Sequence, residues 1–337
     1  MKCGRFVMHG CGCPHEDSAF DIEFSEEMME GGRCQLVLHV YPRDGCDTVT
    51  VDWGDGSVER CSDTSAWHDY TEARRYAVRI GKEARHFQLW SCYKFRGDGR
   101  TEVRCAAVFP RWWGDFVESA RATYGGWNDP LTHGVQGRVI PWGRSITDAS
   151  FCYQMCRGLT GPYPRWTNRI ASAVGTFEET SGMSGRVPKW GCSARNVAQC
   201  FSGCTGLAGP LPAWPPSCEE FDYCFAGCEG LVGNVPPWPR AARTLREVFR
   251  GCAGLAGEIP PWPDGVTELS GCYRDCAGLT GAWTDDPALL MPEAKLQDGW
   301  LNRSWDVVTG CSDSLRALFW DKNWGGTIPR PIPLPEG

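Results

Sequence analysis

The chain has 337 residues, of which 42% are hydrophobic and 22% are charged, so it is long and apolar enough to bury a sizeable core in two or three domains. Its 41 glycines and 24 prolines favour many turns over long helices. A formal net charge of −7 argues against nucleic-acid or anionic-membrane binding, because both partners select a basic face, and no apolar run is long enough to span a bilayer.

Residues 1–33 form an N-terminal segment that lacks the uninterrupted apolar stretch of a secretory signal, so we expect no export signal in this chain. Cys11, Cys13 and His15 lie close together, with Cys3 upstream. A zinc site would need a second pair of ligands at finger-like spacing, and the sequence shows none. The role of this cluster is left open.

Residues 34–107 read as β-strands of alternating apolar residues around a Gly-Asp-Gly turn. The elements of interest are Trp53-Gly54-Asp55-Gly56, His68-x-Tyr70 and Tyr76-x-Val78. This arrangement resembles the PKD-type immunoglobulin-like domains, and the resemblance implies a β-sandwich. Asp52 and Asp55 are candidate calcium ligands, but carboxylates in such a turn more often accept hydrogen bonds from their own backbone amides. Residues 108–131 are assigned to a transition and N-terminal cap.

Residues 132–286 contain a repeat of 24 residues. With Cys204 as the origin, the equivalent positions are Thr132, Cys156, Thr180, Cys204, Cys228, Cys252 and Cys276. An apolar residue follows each origin by three positions, and glycine follows it by five. An aromatic residue precedes the last six origins by three positions, and tryptophan follows the first six by ten. A fixed period with apolar residues at fixed phases predicts a solenoid whose equivalent residues stack in columns about 4.8 Å apart.

The repeat, for example "TLREVFRGCAGL" from Thr244 to Leu255, resembles the BspA-type leucine-rich repeats of bacterial surface proteins. Its "L-x-G-x-[IVL]-P" segment is also similar to plant-type leucine-rich repeats. The resemblance implies a repeat fold used for recognition or adhesion, and it implies no chemistry. The predicted fold class is therefore mainly β with short helical turns: a PKD-like β-sandwich followed by a leucine-rich-repeat-type solenoid.

The twenty cysteines include four pairs at C-x3-C spacing within the repeats. In one coil, Thr176 and Thr180 stand in place of the two cysteines, and in another Val248 stands in place of the first. Positions that accept Cys, Thr or Val require a small side chain. We favour inert core thiols over disulfides, although some disulfides stay possible from the sequence alone.

The tryptophan column has two interpretations: a ladder that seals an edge of the core, which we favour, and an aromatic strip that binds sugar rings or peptide side chains. Between each tryptophan and the next aromatic residue the polar sequence varies, as expected of a surface that carries specificity. The candidate binding residues are Trp166, Trp190, Trp214, Trp238, Trp262, Glu219, Arg243 and Arg246.

No catalytic motif is recognisable: the six histidines are scattered, and paired carboxylates such as Glu219 and Glu220 are adjacent residues of variable segments. We therefore predict no catalytic residue, no cofactor and no metal. Residues 287–337 are assigned to a C-terminal cap and a proline-rich tail, with Trp324, Gly326, Ile328 and Pro329 forming one degenerate coil.

The sequence supports three hypotheses of function. The first is a non-enzymatic recognition or adhesion protein on an outward-facing structure, a phage virion or a bacterial surface, whose partner is a protein or glycan on a cell surface. The second is an architectural component of a larger assembly, such as a virion, that contacts neighbouring subunits or further copies of itself and binds no host ligand. The third is a glycan-directed enzyme whose residues the sequence cannot bring together.

Overall fold

The computed structural model describes residues 15–30, 32–62, 64–96, 99–102, 107–125, 134–263, 265–280 and residue 311. Within these residues the chain has thirteen strands and one four-residue helix, which confirms the mainly β class. Several sequence predictions fall outside the described residues. They concern Cys3, Cys11, Cys13, the two ends of the repeat at Thr132 and Asp286, and all of the C-terminal region 287–337 except Cys311.

The first part of the chain forms two antiparallel sheets. Its elements are β1 (Ser18–Glu23), α1 (Glu26–Met29), β2 (Arg33–Pro42), β3 (Val49–Asp52), β4 (Val58–Cys61), β5 (Ser65–Tyr70), β6 (Arg75–Ile80), β7 (Ala84–Arg96), β8 (Gly99–Glu102) and β9 (Val108–Trp112). The strand orders are β4-β3-β6-β1-β9 and β5-β2-β7-β8. The sheets thus extend beyond the predicted bounds 34–107 at both ends. Strand β1 was missed because it is buried on both faces and lacks apolar alternation.

The inner faces of the two sheets pack against each other. In β2 the side chains of Cys34, Leu36, Leu38 and Val40 are fully buried, while the residues between them are partly exposed. The ring of Phe20 in β1 stacks on that of Phe87 in β7, with the ring centres 6.4 Å apart. The alternation read from the sequence therefore corresponds to a core between the sheets.

Strand β7 also covers the N-terminal end of the repeats. The Leu89 amide donates to the carbonyl oxygen of Thr123 at 3.0 Å, and the Thr123 hydroxyl donates to the carbonyl oxygen of Phe87 at 2.9 Å. The first bridge between coils joins Ser119 to Asp148, so the stacked region starts before Thr132. The first sheet pair and the repeats therefore share a core, and β7 caps the first coil.

Two series of parallel bridges join successive coils. One series runs in steps of 24 residues through Asp148, Ser172, Asn196, Glu220, Thr244 and Glu268. The other pairs β10 (Gln136–Arg138) with β11 (Gly158–Thr160), and β12 (Gly257–Glu258) with β13 (Leu279–Thr280). Its intermediate bridges, such as Gly209 with Leu231, join residues at the same offset. Each glycine therefore pairs with a leucine of the next coil, except Gly161, which pairs with Met183. This second series is staggered by two residues relative to the sequence period.

A ribbon of overlapping turns leads up to each origin. In one coil, four alternate amides donate to carbonyl oxygens of the next coil at 2.7–2.9 Å: those of Val197, Gln199, Phe201 and Gly203. Three intervening amides instead donate to the carbonyl oxygen three residues earlier: those of Cys200, Ser202 and Cys204. Every amide from Gln199 to Cys204 is therefore paired, and half of the pairs link one coil to the next.

Two residues of each ribbon are left-handed. Gln199 has φ 57° and Gly203 has φ 70°, and positive φ recurs at both phases in the other coils. Outside glycine this conformation costs about 1–2 kcal/mol per residue, yet Phe151, Tyr223 and Glu247 adopt it at the first phase. The inter-coil hydrogen bonds offset this cost, because only a turn at that point aims the alternate amides at the next coil.

The aromatic column before each origin stacks face to face. Its ring centres are 5.5–5.9 Å apart, from Tyr153 through Phe177, Phe201, Phe225 and Phe249 to Tyr273. This spacing is wider than the 4.8 Å expected from strand pairing alone.

Candidate functional site

The tryptophan column forms a ladder inside the molecule. Neighbouring indoles from Trp142 to Trp238 stack with their centres 5.2–6.3 Å apart. Five of its members are only 5–9% exposed: Trp142, Trp166, Trp214, Trp238 and Trp262. Trp190 is half-buried and packs against the same core. Their faces are covered by each other, so the ladder offers a ligand little more than ring edges, as the structural interpretation predicts.

The candidate charged residues pair between coils. Glu219 lies 3.6 Å from Arg195, and Arg246 lies 3.1 Å from Glu268. The Glu268 carboxylate raises the pKa of Arg246 further above its usual value. Arg243 donates to the carbonyl oxygen of Gly265 at 3.2 Å. Part of the charge expected to face a partner is thus compensated within the stack, although the side chains of Glu219 and Arg246 stay partly exposed.

The origin cysteines form a ladder of thiol hydrogen bonds. Cys204, Cys228, Cys252 and Cys276 each donate to the carbonyl oxygen of the aromatic residue 27 positions earlier, at 2.9–3.1 Å. All four are fully buried, and no disulfide joins the cysteines that the structure describes. Burial raises the pKa of Cys204 to about 11 and that of Cys252 to about 12. These thiols are thus held neutral and out of reach of reagents.

The Trp53–Gly56 turn brings the carboxylate of Asp55 to His68. The carboxylate of Asp52 accepts a hydrogen bond from the backbone amide of Gly54 at 3.0 Å, and that of Asp55 accepts one from the amide of Ser57 at 2.9 Å. These are the hydrogen bonds to nearby backbone amides that are expected of carboxylates in such a turn. The other Asp55 oxygen lies 2.7 Å from Nε2 of His68, whose ring stacks on Trp53. Burial would raise the pKa of Asp55, but the hydrogen bonds with His68 and Ser57 outweigh it and hold that pKa below its usual value.

A cleft of about 530 Å³ opens beside this cluster, between two edge strands, β4 of the five-stranded sheet and β5 of the four-stranded sheet. Glu59 and Arg60 line one side, and Trp67, His68 and Asp69 line the other. Glu59 lies 3.7 Å from Nδ1 of His68, so carboxylates face both ring nitrogens of this histidine. Among the residues that line the cleft, only His68 belongs to a motif that is recognisable in the sequence.

Two exposed tryptophans lie on the outer face of the four-stranded sheet. Trp67 in β5 is 58% exposed and pairs across the strands with Val37. Trp90 in β7 is 48% exposed, and its ring stacks on His39 with the ring centres 4.2 Å apart. Burial lowers the pKa of His39, which favours a neutral imidazole in this stack. In β5, Ala66 and Tyr70 are buried, whereas Trp67, directly after Ala66, is exposed. A tryptophan adjacent to the inward-facing positions of a strand was the signal that could have identified this face.

Searches against known protein families, curated proteins and solved structures returned no significant match to this chain. In the described part of the chain, no helix has the length and apolar character needed to cross a membrane. The same residues contain no cluster of three or more His, Cys, Asp or Glu side chains arranged to hold a metal ion. The class established by the fold is thus a mainly β protein with a repeated, stacked region.

Proposed function

We propose that this chain is a non-enzymatic recognition or adhesion protein, carried on a phage virion or on a bacterial surface. In this proposal the first sheet pair is a PKD-like sandwich, and the repeats form a leucine-rich-repeat-type solenoid of the BspA kind. The turn at Trp53–Gly56, with its contacts to His68, supports the first assignment. The bridges repeated from coil to coil support the second.

One contrast between tryptophans carries the functional proposal. Five indoles of the ladder are 5–9% exposed, Trp190 is half-buried and Trp53 is fully buried. Trp67 and Trp90, in contrast, are 58% and 48% exposed on one sheet face. A large aromatic side chain held in water by a rigid strand gains nothing for folding, and such residues are enriched where proteins bind partners. The outer face of the four-stranded sheet is therefore our proposed contact surface.

The repeats supply a rigid frame for that surface. Their alternate backbone amides bond to the next coil, and their first coil is bonded to β7, the strand that carries Trp90. Movement of the sheet relative to the stack would break these bonds and separate Phe87 from Tyr124. The variable segments with Glu219, Arg243 and Arg246 remain a second proposed surface on the same frame.

The cleft supports binding rather than catalysis. His68 is its titratable imidazole, and both ring nitrogens face the carboxylates of Asp55 and Glu59. The ring is also fixed by stacking on Trp53. A general base needs a free lone pair within reach of the substrate, so the enclosed imidazole of His68 is better suited to fixing the floor of the cleft than to proton transfer.

The architectural alternative would place this protein against neighbouring subunits of an assembly. At the C-terminal end of the described stack, the thiol of Cys311 donates to the carbonyl oxygen of Tyr273 at 3.0 Å. A later part of the same chain therefore contacts the last described coil, and the architectural alternative rests on the sequence alone.

The test is to locate the protein and measure its binding together. Immunogold electron microscopy should place it on the exterior of its particle or cell, and labelled protein should bind whole bacterial cells. We expect the double substitution Trp67→Ala with Trp90→Ala to lower cell binding at least tenfold. Val58→Ala, which removes a 61% exposed side chain from β4, is the matched control and should bind normally.

Two results would decide against this proposal. An internal location with extensive subunit contacts would favour the architectural alternative. Loss of binding on changing Arg243, Arg246, Glu219 or Trp238, with none on changing the sheet tryptophans, would move the contact surface to the repeats.

A further inference from the structure

The cleft between β4 and β5 combines an apolar plane with polar groups of both kinds. Trp67 presents an indole at its rim, and Ser62 and Ser65 contribute hydroxyls beside Glu59 and Arg60. A pyranose ring has the matching chemistry: an apolar face of C–H groups and a rim of hydroxyls that both donate and accept. The volume of the cleft, about 530 Å³, lies in the range of small-ligand sites.

We propose that this cleft binds a neutral oligosaccharide, with one sugar ring stacked on Trp67 and its hydroxyls bonded to Glu59, Arg60 and Ser65. This deepens the recognition function proposed above and rests on it. The acidic Glu59 and Asp69 outnumber Arg60 in the lining, so the cleft has no excess of positive charge to select an anionic sugar.

The geometry favours a sugar over an extended peptide. A peptide adding to the free edge of β5 needs an unobstructed row of backbone groups. His68 of β5 reaches across to Asp55 at 2.7 Å and approaches Glu59 at 3.7 Å, so side chains bridge the two sheets at the floor of the cleft. The floor of the cleft is therefore formed by polar side chains, which suit a sugar's hydroxyls, rather than by the backbone groups with which an added strand would pair.

Two polar side chains of the lining, those of Asp69 and His68, are held in place before a ligand arrives. Asp69 accepts hydrogen bonds from Arg33 at 2.8 Å and from Gln35 at 3.0 Å. The ring of His68 is fixed by Trp53 on one side and meets Tyr70 edge-on. Preorganised polar groups lose little conformational entropy on binding, which suits the weak, repeated contacts of a surface that adheres to glycans.

Isothermal titration calorimetry of the intact protein with cellohexaose, chitohexaose and maltohexaose tests this proposal. We expect at least one of these neutral hexasaccharides to bind, and Trp67→Ala to weaken its affinity at least tenfold. Trp67→Phe should retain most of the affinity, because a phenyl ring still presents a flat face. Glu59→Gln should weaken binding severalfold, and Val58→Ala should leave it unchanged. Circular dichroism melting verifies that each variant is folded.

The outcomes separate this proposal from the one on which it rests. Binding of none of the three sugars at millimolar concentration, or equal binding by Trp67→Ala, overturns the glycan assignment, while whole-cell binding then still supports recognition. Sugar binding that depends on Trp67, in a protein located inside a particle, supports the glycan site and overturns the surface display. Selection of an extended peptide from a random peptide library, with loss of binding in Trp67→Ala, would also overturn the glycan assignment.

Discussion

The thiol of Cys228 donates a hydrogen bond of 3.0 Å to the carbonyl oxygen of Phe201, which lies in the preceding coil. The same carbonyl oxygen also accepts a hydrogen bond from the backbone amide of Cys204, which lies in the same coil as Phe201. Cysteine at this phase therefore fills a small space and also links two coils. Thr180 occupies the phase differently, because its hydroxyl bonds to Phe177 of its own coil at 2.7 Å.

Substitution of Cys228 separates these two roles. We expect Cys228→Thr to lower the free energy of unfolding by about 1 kcal/mol, because it loses one buried hydrogen bond between coils and keeps a small side chain. Leu231→Ala, at a fully buried position, should cost about 2–5 kcal/mol through the cavity it leaves. Urea unfolding followed by circular dichroism measures both. A larger loss of unfolding free energy for Cys228→Thr than for Leu231→Ala would contradict the role of Cys228 as a small residue that makes one hydrogen bond between coils.

Glycine two positions after the origin is required by close backbone approach. A Cβ added at Gly230 would lie 2.5 Å from the carbonyl oxygen of Leu207, whereas one added at Gly233 would meet no atom within 4 Å. We expect Gly230→Ala to cost about 3 kcal/mol, because backbone atoms must move. Gly233→Ala, at φ 85°, should cost about 1 kcal/mol through its left-handed backbone alone. Thermal melting measures the stability of both variants. A larger loss of stability in Gly233→Ala than in Gly230→Ala would contradict the close approach of the coils at Gly230.

The buried thiols make the protein sensitive to alkali. Burial raises the pKa of Cys252 from 9.0 to about 12, so the folded state keeps this proton where the unfolded state loses it. Stability is therefore fully present below pH 9 and falls as the pH rises above it. We expect the urea midpoint to drop between pH 8 and about 10.5, and to drop less in Cys252→Ala. An equal drop of the urea midpoint with pH in the unchanged protein and in Cys252→Ala would show that Cys252 does not contribute to the sensitivity to alkali.

Labelling of the folded protein reports the same burial. Cys192 is exposed, whereas Cys204, Cys228 and Cys252 are fully buried. Iodoacetamide at pH 8 should therefore modify Cys192 within minutes and leave the other three unmodified until urea is added. Peptide mass spectrometry after a short pulse measures this directly. Rapid modification of Cys228 in the folded state would show that the stack opens locally.

Acid should loosen the junction between the first sheet pair and the repeats. His86 lies in β7 with Nδ1 2.9 Å from the carbonyl oxygen of Ser119, and burial lowers its pKa. The unfolded state therefore takes up a proton at higher pH than the folded state, and stability falls as the pH drops below about 6.5. We expect His86→Gln to flatten the dependence of the melting temperature between pH 7 and pH 5. An unchanged slope would assign the effect to other groups.

The periodic part of the fold was accessible from the sequence because its residues repeat. The leucine phase at Leu207, Leu231 and Leu255 and the origin cysteines are buried as the period predicts. The stagger between Gly209 and Leu231 was not accessible, because a sequence period counts residues along the chain and not pairing between coils. The left-handed residue at Gln199 was also hidden, since the same phase carries phenylalanine, tyrosine and glutamate elsewhere.

The candidate site was less accessible than the fold. Trp67 and Glu59 lie on consecutive strands, but β4 and β5 belong to different sheets, and the cleft exists only where the two sheet edges meet. The tryptophan ladder attracted attention because it repeats, yet repetition at a fixed phase indicates stacking as readily as binding. A single exposed tryptophan in one alternating strand gives a weak signal until its burial is known.

The amide hydrogen bonds by which the turn ribbon links neighbouring coils all point in one direction, from the amides of one coil to the carbonyls of the next. The stack is consequently polar, and its described junctions repeat the same pattern of amide donors and carbonyl acceptors. Removing or duplicating one whole unit, for example the 24 residues that begin at Cys204, would join the same donors to the same acceptors. The chain can thus change its reach in increments of one coil while the sheet that caps its first coil, and the exposed tryptophans that this sheet carries, stay as they are.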